Sequence, residues 1–320
     1  MTTDMDSRPS WDSRAFLDEY LRQRSAPYGY KVVHQMRVRV FHNTVELATR
    51  GEYVTEDGRR VSLGDGRQME RDTEFYTDEI HLQGEMPERT GAAIEVVSED
   101  CLLAGIRLKE EGYNPAILNM ASRRTPGGGV LSGSGAQEET LFRRTDLYRS
   151  LYQFVPYAEA YGVTRSVHQY PLDRNFGGIY SPGAIIFRES EQRGYRLMDT
   201  PVRMDFISVA GMNRPDLTPE GWIAPHHIGP IKNKMRTILR VGLLHGHDAL
   251  VLSALGCGAF RNPPRHVARL FHEVLDEEEF RRKFRLVLFA IIDDQNAHRT
   301  HNPEGNYLPF VREFQGMGRR

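Results

Sequence analysis

The chain has 320 residues, 42 basic and 43 acidic side chains, a formal net charge of −1 and 39% hydrophobic residues. Such a length and apolar content allow one large domain or two modest ones with a sizeable core. The charge balance argues against a direct nucleic-acid binder, which carries a basic excess. No apolar run reaches the ~18 residues of a membrane-spanning helix, and the N-terminal MTTDMDSRPSWDSR lacks the apolar centre of a secretory signal. The two cysteines, Cys101 and Cys257, lie far apart and fit no metal spacing, so a reduced, cytoplasmic protein is expected.

Residues 1 to about 10 read as disordered. Phe16, Leu17, Tyr20 and Leu21 recur at helical spacing and predict a helix over 13–24. Val33, Met36, Val40 and Val45 predict a second over 30–50, and Asp57-Gly58 marks a hairpin within 51–63. Residues 64–90 are polar and rich in turn formers. From about 91, strand and helix patterns alternate: a strand at 94–97, a helix at 100–111 stopped by Gly112, and a buried strand at 116–120. A helix over about 136–154 follows, with Leu141, Tyr148, Leu151 and Val155 on one face. Further strands are expected at 184–187, 206–210, 249–255 and 285–292, with helices at about 225–245 and 263–282. The alternation predicts a three-layer α/β/α sandwich with a mixed central sheet over 91–320, preceded by a mainly helical extension over 1–90. In such sheets ligands bind beyond the carboxyl ends of strands.

The densest chemistry lies in PGGGVLSGSGAQEE, Pro126 to Glu139. Gly127, Gly128 and Gly129 follow a buried strand and have no Cβ atoms, so a sugar or phosphate could lie against their backbone. Seven residues later come Gln137, Glu138 and Glu139. The plainer reading of this triplet is helix capping: Ser134 and Gln137 have capping-box spacing, and acids in a first turn suit the helix dipole. Adjacent helical residues point about 100° apart, which would aim only one glutamate at a ligand. Periodicity does not choose between them.

A second backbone cradle, Gly256-Cys257-Gly258-Ala259-Phe260, follows a strand, with Asn262 a candidate N-cap for the next helix. Phe260 reads either as core or as a surface for a sugar. Cys257 has no obvious His and Asp partners for nucleophilic work. The histidines, including His226-His227, His245, His247, His266, His272, His298 and His301, form no convincing zinc set. They read as surface or satisfied core residues, and no metal or other cofactor is expected. FRRTDLYR, Phe142 to Arg149, reads as a solvated helix face, or else as one that brings Arg143 or Arg144 near an anionic ligand.

The GGG–QEE pattern with its seven-residue gap resembles the signature of the bacterial-type poly(ADP-ribose) glycohydrolases, which are macrodomain enzymes. NPAILNMASRRTPGGG, YSPGAIIFR and LSALGCGAFRNPP are similar to further stretches of that family, so the likeness spans about 95–295. Two places depart from it. Val209-Ala210-Gly211-Met212-Asn213 stands where many members carry Ala-Ala-Pro-Asn, and Arg123-Arg124-Thr125 is bulkier and more basic than the family's small residues.

The resemblance implies a hydrolase of the ribose–ribose O-glycosidic bond in poly(ADP-ribose), working from the chain end and releasing ADP-ribose. It implies Glu139 as the catalytic acid/base and Glu138 as the group orienting the ribose. Asn119 and Gly127–Gly129 would then hold the distal ribose, with Gln137 among the substrate contacts. Gly256, Cys257, Gly258 and Ala259 would hold the diphosphate, Phe260 would pack on the distal ribose, and Asp100 would be the adenine contact. Partners would be poly(ADP-ribose) or an ADP-ribosylated protein. The rival readings are a non-catalytic ADP-ribose reader, which would lack the acid, and a hydrolase of mono-ADP-ribosyl or small ADP-ribose ester substrates.

Overall fold

The computed structural model describes residues 8–84, 86–293, 297–299 and 302–315. Most of the N-terminal stretch expected to be disordered, and His301, lie outside the described residues. Ser10 is held: its N–H donates to Val54 O (2.9 Å). The chain forms two compact units, each built from separate stretches. One comprises 1–73, 125–170 and 181–203, the other 74–124, 171–180 and 204–320. This division is not the single cut near residue 90 that composition suggested.

In the first unit, α1 (Ser13–Arg24) starts at Asp12, whose carboxylate accepts the Ala15 N–H, and α2 (Tyr30–Arg50) ends at a left-handed Gly51. Phe16, Tyr20, Val33, Met36 and Val40, spaced for one helical face each, bury together against Tyr195. β1 (Glu52–Val54) and β2 (Arg60–Ser62) form the expected antiparallel hairpin. A short α3 (Arg67–Asp72) closes the first stretch.

The second unit carries a sheet. β3 is Glu74–Tyr76, β4 Ala93–Val97, then α4 Cys101–Glu110 and β5 Pro115–Met120. In the first unit lie α5 (Gln137–Arg144) and α6 (Tyr148–Leu151). Then follow β6 (Gly178–Arg188) and β7 (Leu197–Val209), whose residues 181–188 and 197–203 count with the first unit, and, in the second, α7 (Pro225–Leu244), β8 (Ala249–Leu252), α8 (Pro264–Leu275), β9 (Leu286–Ala290) and α9 (Tyr307–Phe314). The strand order is β3-β6-β7-β5-β8-β9-β4. Neighbours from β7 to β4 run parallel and β3 pairs antiparallel with β6, so the sheet is mixed. Because strand side chains alternate, Ala116, Leu118, Leu250, Leu252, Val287 and Phe289 share one face. They pack there with Ile231, Met235, Val267, Phe271, Phe310 and Phe314 of α7, α8 and α9. Ile117 points the other way, onto α4, where Gly105 leaves it room: a Cβ there would lie 2.5 Å from Ile117 Cδ1. These are the three layers.

The single helix expected over 136–154 is broken. Thr145 is extended, its hydroxyl donates back to Leu141 O (2.9 Å), and Asp146 accepts the Ile185 N–H (2.6 Å) instead of continuing the helix. α8 stops at Leu275 rather than 282, because Asp276-Glu277-Glu278-Glu279 places like charges at the negative end of the helix dipole. β7 begins nine residues before the expected Phe206, since its first half is polar and contains Pro201. α9 was not expected.

Candidate active site

The first unit holds the glycine loop and both glutamates. The capping box fails, since the residue before α5 is Ala136 and no side chain caps the helix, although both glutamates do stand in its first turn. Instead the carboxylates reach back to the glycine loop. The Gly127 N–H donates to Glu138 Oε1 (3.0 Å) and the Gly129 N–H to Glu139 Oε1 (2.8 Å). The loop wraps the start of α5, so it meets both adjacent glutamates, where helical geometry alone gave only one. Both are buried, Glu138 at 4% and Glu139 at 7% exposure. Glu139 Oε2 is buried with no hydrogen-bond partner. The glycine amides thus serve first as carboxylate holders; Gly128 N–H goes to Thr125 O (3.0 Å).

Gly128 is fixed by geometry on two counts. Its φ is +53°, and a Cβ would stand 2.5 Å from Glu139 Oε1 and 3.1 Å from Glu138 Oε2. Only glycine meets both conditions. Gln137, the first residue of α5, is half-buried.

A buried ionic scaffold behind α5 was not read from the sequence. Arg143 and Arg144, expected on a solvated face, are 0% and 1% exposed. Arg143 donates from Nε to Tyr195 Oη (2.9 Å) and from Nη1 to Ser134 O (2.9 Å), while Thr44 donates to Arg143 O (2.7 Å). Arg37 of α2 forms a two-pronged pair with Glu191 (2.7 and 2.8 Å). Arg37 hydrogen bonding holds the Glu191 carboxyl below its usual value despite burial. Tyr170 is half-buried with its hydroxyl oxygen buried, and its pKa is raised well above the usual range by burial and then by the charge of Glu138. A sequence signal existed only for Arg37, a lone arginine inside an apolar face.

The second unit holds the other candidate residues. Asn119 on β5 is fully buried; its Nδ2 donates to Ser208 Oγ (3.0 Å) and its Oδ1 has no partner. In the 256–260 loop, the Cys257 N–H donates to Ala254 O (3.0 Å) and so is not offered to a ligand, a correction to its expected role. Among the described residues, the N–H groups of Gly258, Ala259 and Phe260 have no protein acceptor. The Cys257 thiol is buried and pushed far up by desolvation, so it is no nucleophile. Asn262 is not an N-cap. Its Nδ2 donates to Met212 O (2.7 Å) and Gly256 O (2.9 Å), and Gly256 has φ +76° with Asn262 Nδ2 only 2.6 Å from where a Cβ would be. Half-exposed Phe260 accepts the Arg214 N–H at its carbonyl (2.8 Å). Asp100 caps α4, its Oδ1 accepting from Leu102 and Leu103 N–H (3.1 Å each).

The microbial-type PARG catalytic domain family model matches residues 42–189. The chain is similar to poly(ADP-ribose) glycohydrolase from Thermomonospora curvata, at 32% identity and TM-score 0.72 over 88% of this chain and 100% of that one. A second structure of the Thermomonospora enzyme, bound to the inhibitor ADP-HPD, matches at 31% and 0.69 over 88% and 100%. The Deinococcus radiodurans glycohydrolase in complex with ADP-ribose matches at 33% and 0.62 over 80% and 100%. Curated proteins give no match.

The chain belongs to the microbial-type poly(ADP-ribose) glycohydrolases. It is therefore a glycosidase on a macrodomain-like α/β fold. The two departures from the glycohydrolase pattern have local explanations. Arg123 donates to Leu172 O (3.1 Å), tying the loop after β5 to the segment before β6. A Cβ at Gly211 would sit 3.0 Å from Gly256 Cα, so the loop after β7 runs tightly along the 256–260 loop. Two of the histidines are hydrogen-bonded within the second unit. His247 is buried between Asn114 O and Tyr180 Oη (3.1 Å each), and His266 Nδ1 accepts the Ile223 N–H (2.9 Å). No helix of the described residues is long and apolar enough to cross a membrane.

Proposed function

We propose that this glycohydrolase cleaves the ribose–ribose bond with Glu139 as its acid/base, working from the chain end and releasing ADP-ribose. The observation that carries this reading is the division of labour within one carboxylate. Glu139 Oε1 is held by the Gly129 N–H, while Oε2 is buried and unpartnered. A buried oxygen without a partner costs about 1–3 kcal/mol, and a departing ribose oxygen would supply that partner.

Glu139 protonates the leaving oxygen as an oxocarbenium-like centre forms. The substrate's own diphosphate stabilises that charge. Glu139 then takes a proton from the attacking water. Glu138, held through the Gly127 N–H, orients the ribose hydroxyls. Asn119 Oδ1 accepts from a distal-ribose hydroxyl. The amides of Gly258, Ala259 and Phe260 take the diphosphate, Phe260 packs on the distal ribose, Gln137 contributes a substrate contact, and Asp100 takes the adenine.

The test is ADP-ribose release from a poly(ADP-ribosyl)ated protein by wild type, Glu139→Gln and Glu138→Gln, with ADP-ribose binding measured by calorimetry. Glu139→Gln should lose about 10²–10⁴ in rate while still binding ADP-ribose. Equal rates for wild type and Glu139→Gln would remove the acid/base assignment. Release from mono-ADP-ribosylated protein, with none from the polymer, would favour the mono-ADP-ribosyl hydrolase.

A further inference from the structure

Beyond β7 the chain doubles back before entering α7. Leu217 and Ile223 bridge across this loop. Thr218 N–H donates to Trp222 O (2.7 Å), Gly221 N–H to Thr218 O (2.9 Å) and Ala224 N–H to Asp216 O (2.8 Å). The closed hairpin returns Asp216 to the first turn of α7. There the rings of His226 and His227 lie 3.9 Å apart, inclined at 49°. Both Nε2 atoms approach one carboxylate oxygen, Asp216 Oδ2, at 3.3 and 3.1 Å. The ligand atoms of the three residues all lie within 4.8 Å of one another.

Zinc binds imidazole nitrogen and carboxylate oxygen at about 2.0–2.2 Å in a tetrahedron, which spaces neighbouring ligand atoms roughly 3.3 Å apart. The two N···O separations match that spacing. Two imidazoles and one carboxylate also form a ligand set suited to zinc. Among the described residues, Asp216 has no lysine or arginine partner; its ion-pair neighbours are these two histidines.

We propose that Asp216, His226 and His227 form a zinc site, with the fourth position open to water. The positive end of α7 opposes a cation here, and the Asp216 charge offsets it. The histidines alone fit no zinc spacing; the third ligand arrives from ten residues upstream through the hairpin. The site also has a structural neighbour: the same loop supports the 256–262 segment through Arg214 N–H to Phe260 O (2.8 Å) and Asn262 Nδ2 to Met212 O (2.7 Å). A bound ion would pin that supporting loop at both ends.

The experiment is calorimetric titration of chelator-treated, tag-free protein with zinc chloride, beside magnesium chloride, for wild type, Asp216→Asn and His227→Ala. One zinc per chain is expected. Each substitution should weaken it by at least about ten-fold, since loss of a direct ligand exceeds the 10–100-fold effects of outer partners. Magnesium, which prefers oxygen ligands and keeps its waters, should not compete. Zinc should also raise the urea midpoint of wild type and leave that of both variants unchanged. The three side chains are exposed or half-exposed, so the variants should fold, as circular dichroism would check. No saturable binding up to about 100 μM, an affinity near −5.5 kcal/mol, would overturn the proposal. Undiminished binding in both variants would overturn it equally.

Discussion

Gly128→Ala is a single-methyl change whose cost can be worked out. At φ +53° an L-residue pays about 1–2 kcal/mol for the left-handed backbone. The new Cβ would lie 2.5 Å from Glu139 Oε1, which is about 1 Å inside ordinary contact. The carboxylate is the end of a side chain and can swing away, but doing so breaks its bond from the Gly129 N–H (2.8 Å). A hydrogen bond to a charged group contributes about 1.5–3 kcal/mol. The sum is a destabilisation of about 2.5–5 kcal/mol. The catalytic loss should be larger in kind, since a ~1 Å displacement of a reacting group costs about 10²-fold. Urea unfolding would read the first figure, and ADP-ribose release at saturating polymer would read the second. A variant that folds and turns over within about threefold of wild type would refute the claim that the glycine loop sets the carboxylate position.

Three further outcomes follow from buried charges. Arg37→Ala removes the ion-pair partner of buried Glu191, leaving it to the Tyr20 and Tyr195 hydroxyls, and should cost about 3 kcal/mol. It should also lower kcat about ten-fold or more with little change in KM, because Arg37 acts on α5 through Glu191 and Tyr195; unchanged kcat would refute the anchoring role. Lys234 is 3% exposed with no hydrogen-bond partner, and burial lowers its pKa to about 8. The unfolded chain holds this proton up to about pH 10.4. Wild-type stability should therefore rise between pH 8 and about 10, and Lys234→Met should be more stable by up to about 3 kcal/mol at pH 7; a less stable variant in urea would give Lys234 a partner it lacks here. Asp146 is fully buried, and desolvation raises its pKa to about 6, against the Ile185 N–H bond. Folded protein then holds an extra proton between about pH 4 and 6. The Asp146 contribution to stability falls as pH rises through that window and is absent in Asp146→Asn; parallel urea midpoints for the two proteins across the window would refute it.

Much of the sheet was legible because its strands are short apolar runs bounded by turn residues, as in Ala116-Ile117-Leu118 and Leu286-Val287-Leu288. The GGG–QEE stretch stood out because paired carboxylates are costly to bury unless held, and the glycine amides hold both. What the sequence hid was long-range. Thr145 and Asp146 look helical until Ile185 takes up their backbone direction. Arg143 and Arg144 look solvated until Tyr195 and Arg188 O supply acceptors far along the chain. Capping-box spacing at Ser134 and Gln137 was a false signal, because α5 starts two residues later than that spacing requires, with Ala136 at its N-cap.

The first unit draws on stretches ending at residues 73, 170 and 203. A nascent chain that has emerged as far as residue 170 already contains the whole GGG–QEE stretch, yet not Glu191 or Tyr195. Arg37 of α2 then lacks its carboxylate partner and the Arg143 Nε its acceptor, so Glu139 has a loop to lean on but no anchored helix behind it. Competence arrives only when the segment around residue 195 docks, a closure over more than 50 residues from Arg143, and such non-local steps are slow. A fragment carrying the complete signature and ending before residue 190 would match the pattern and remain inert.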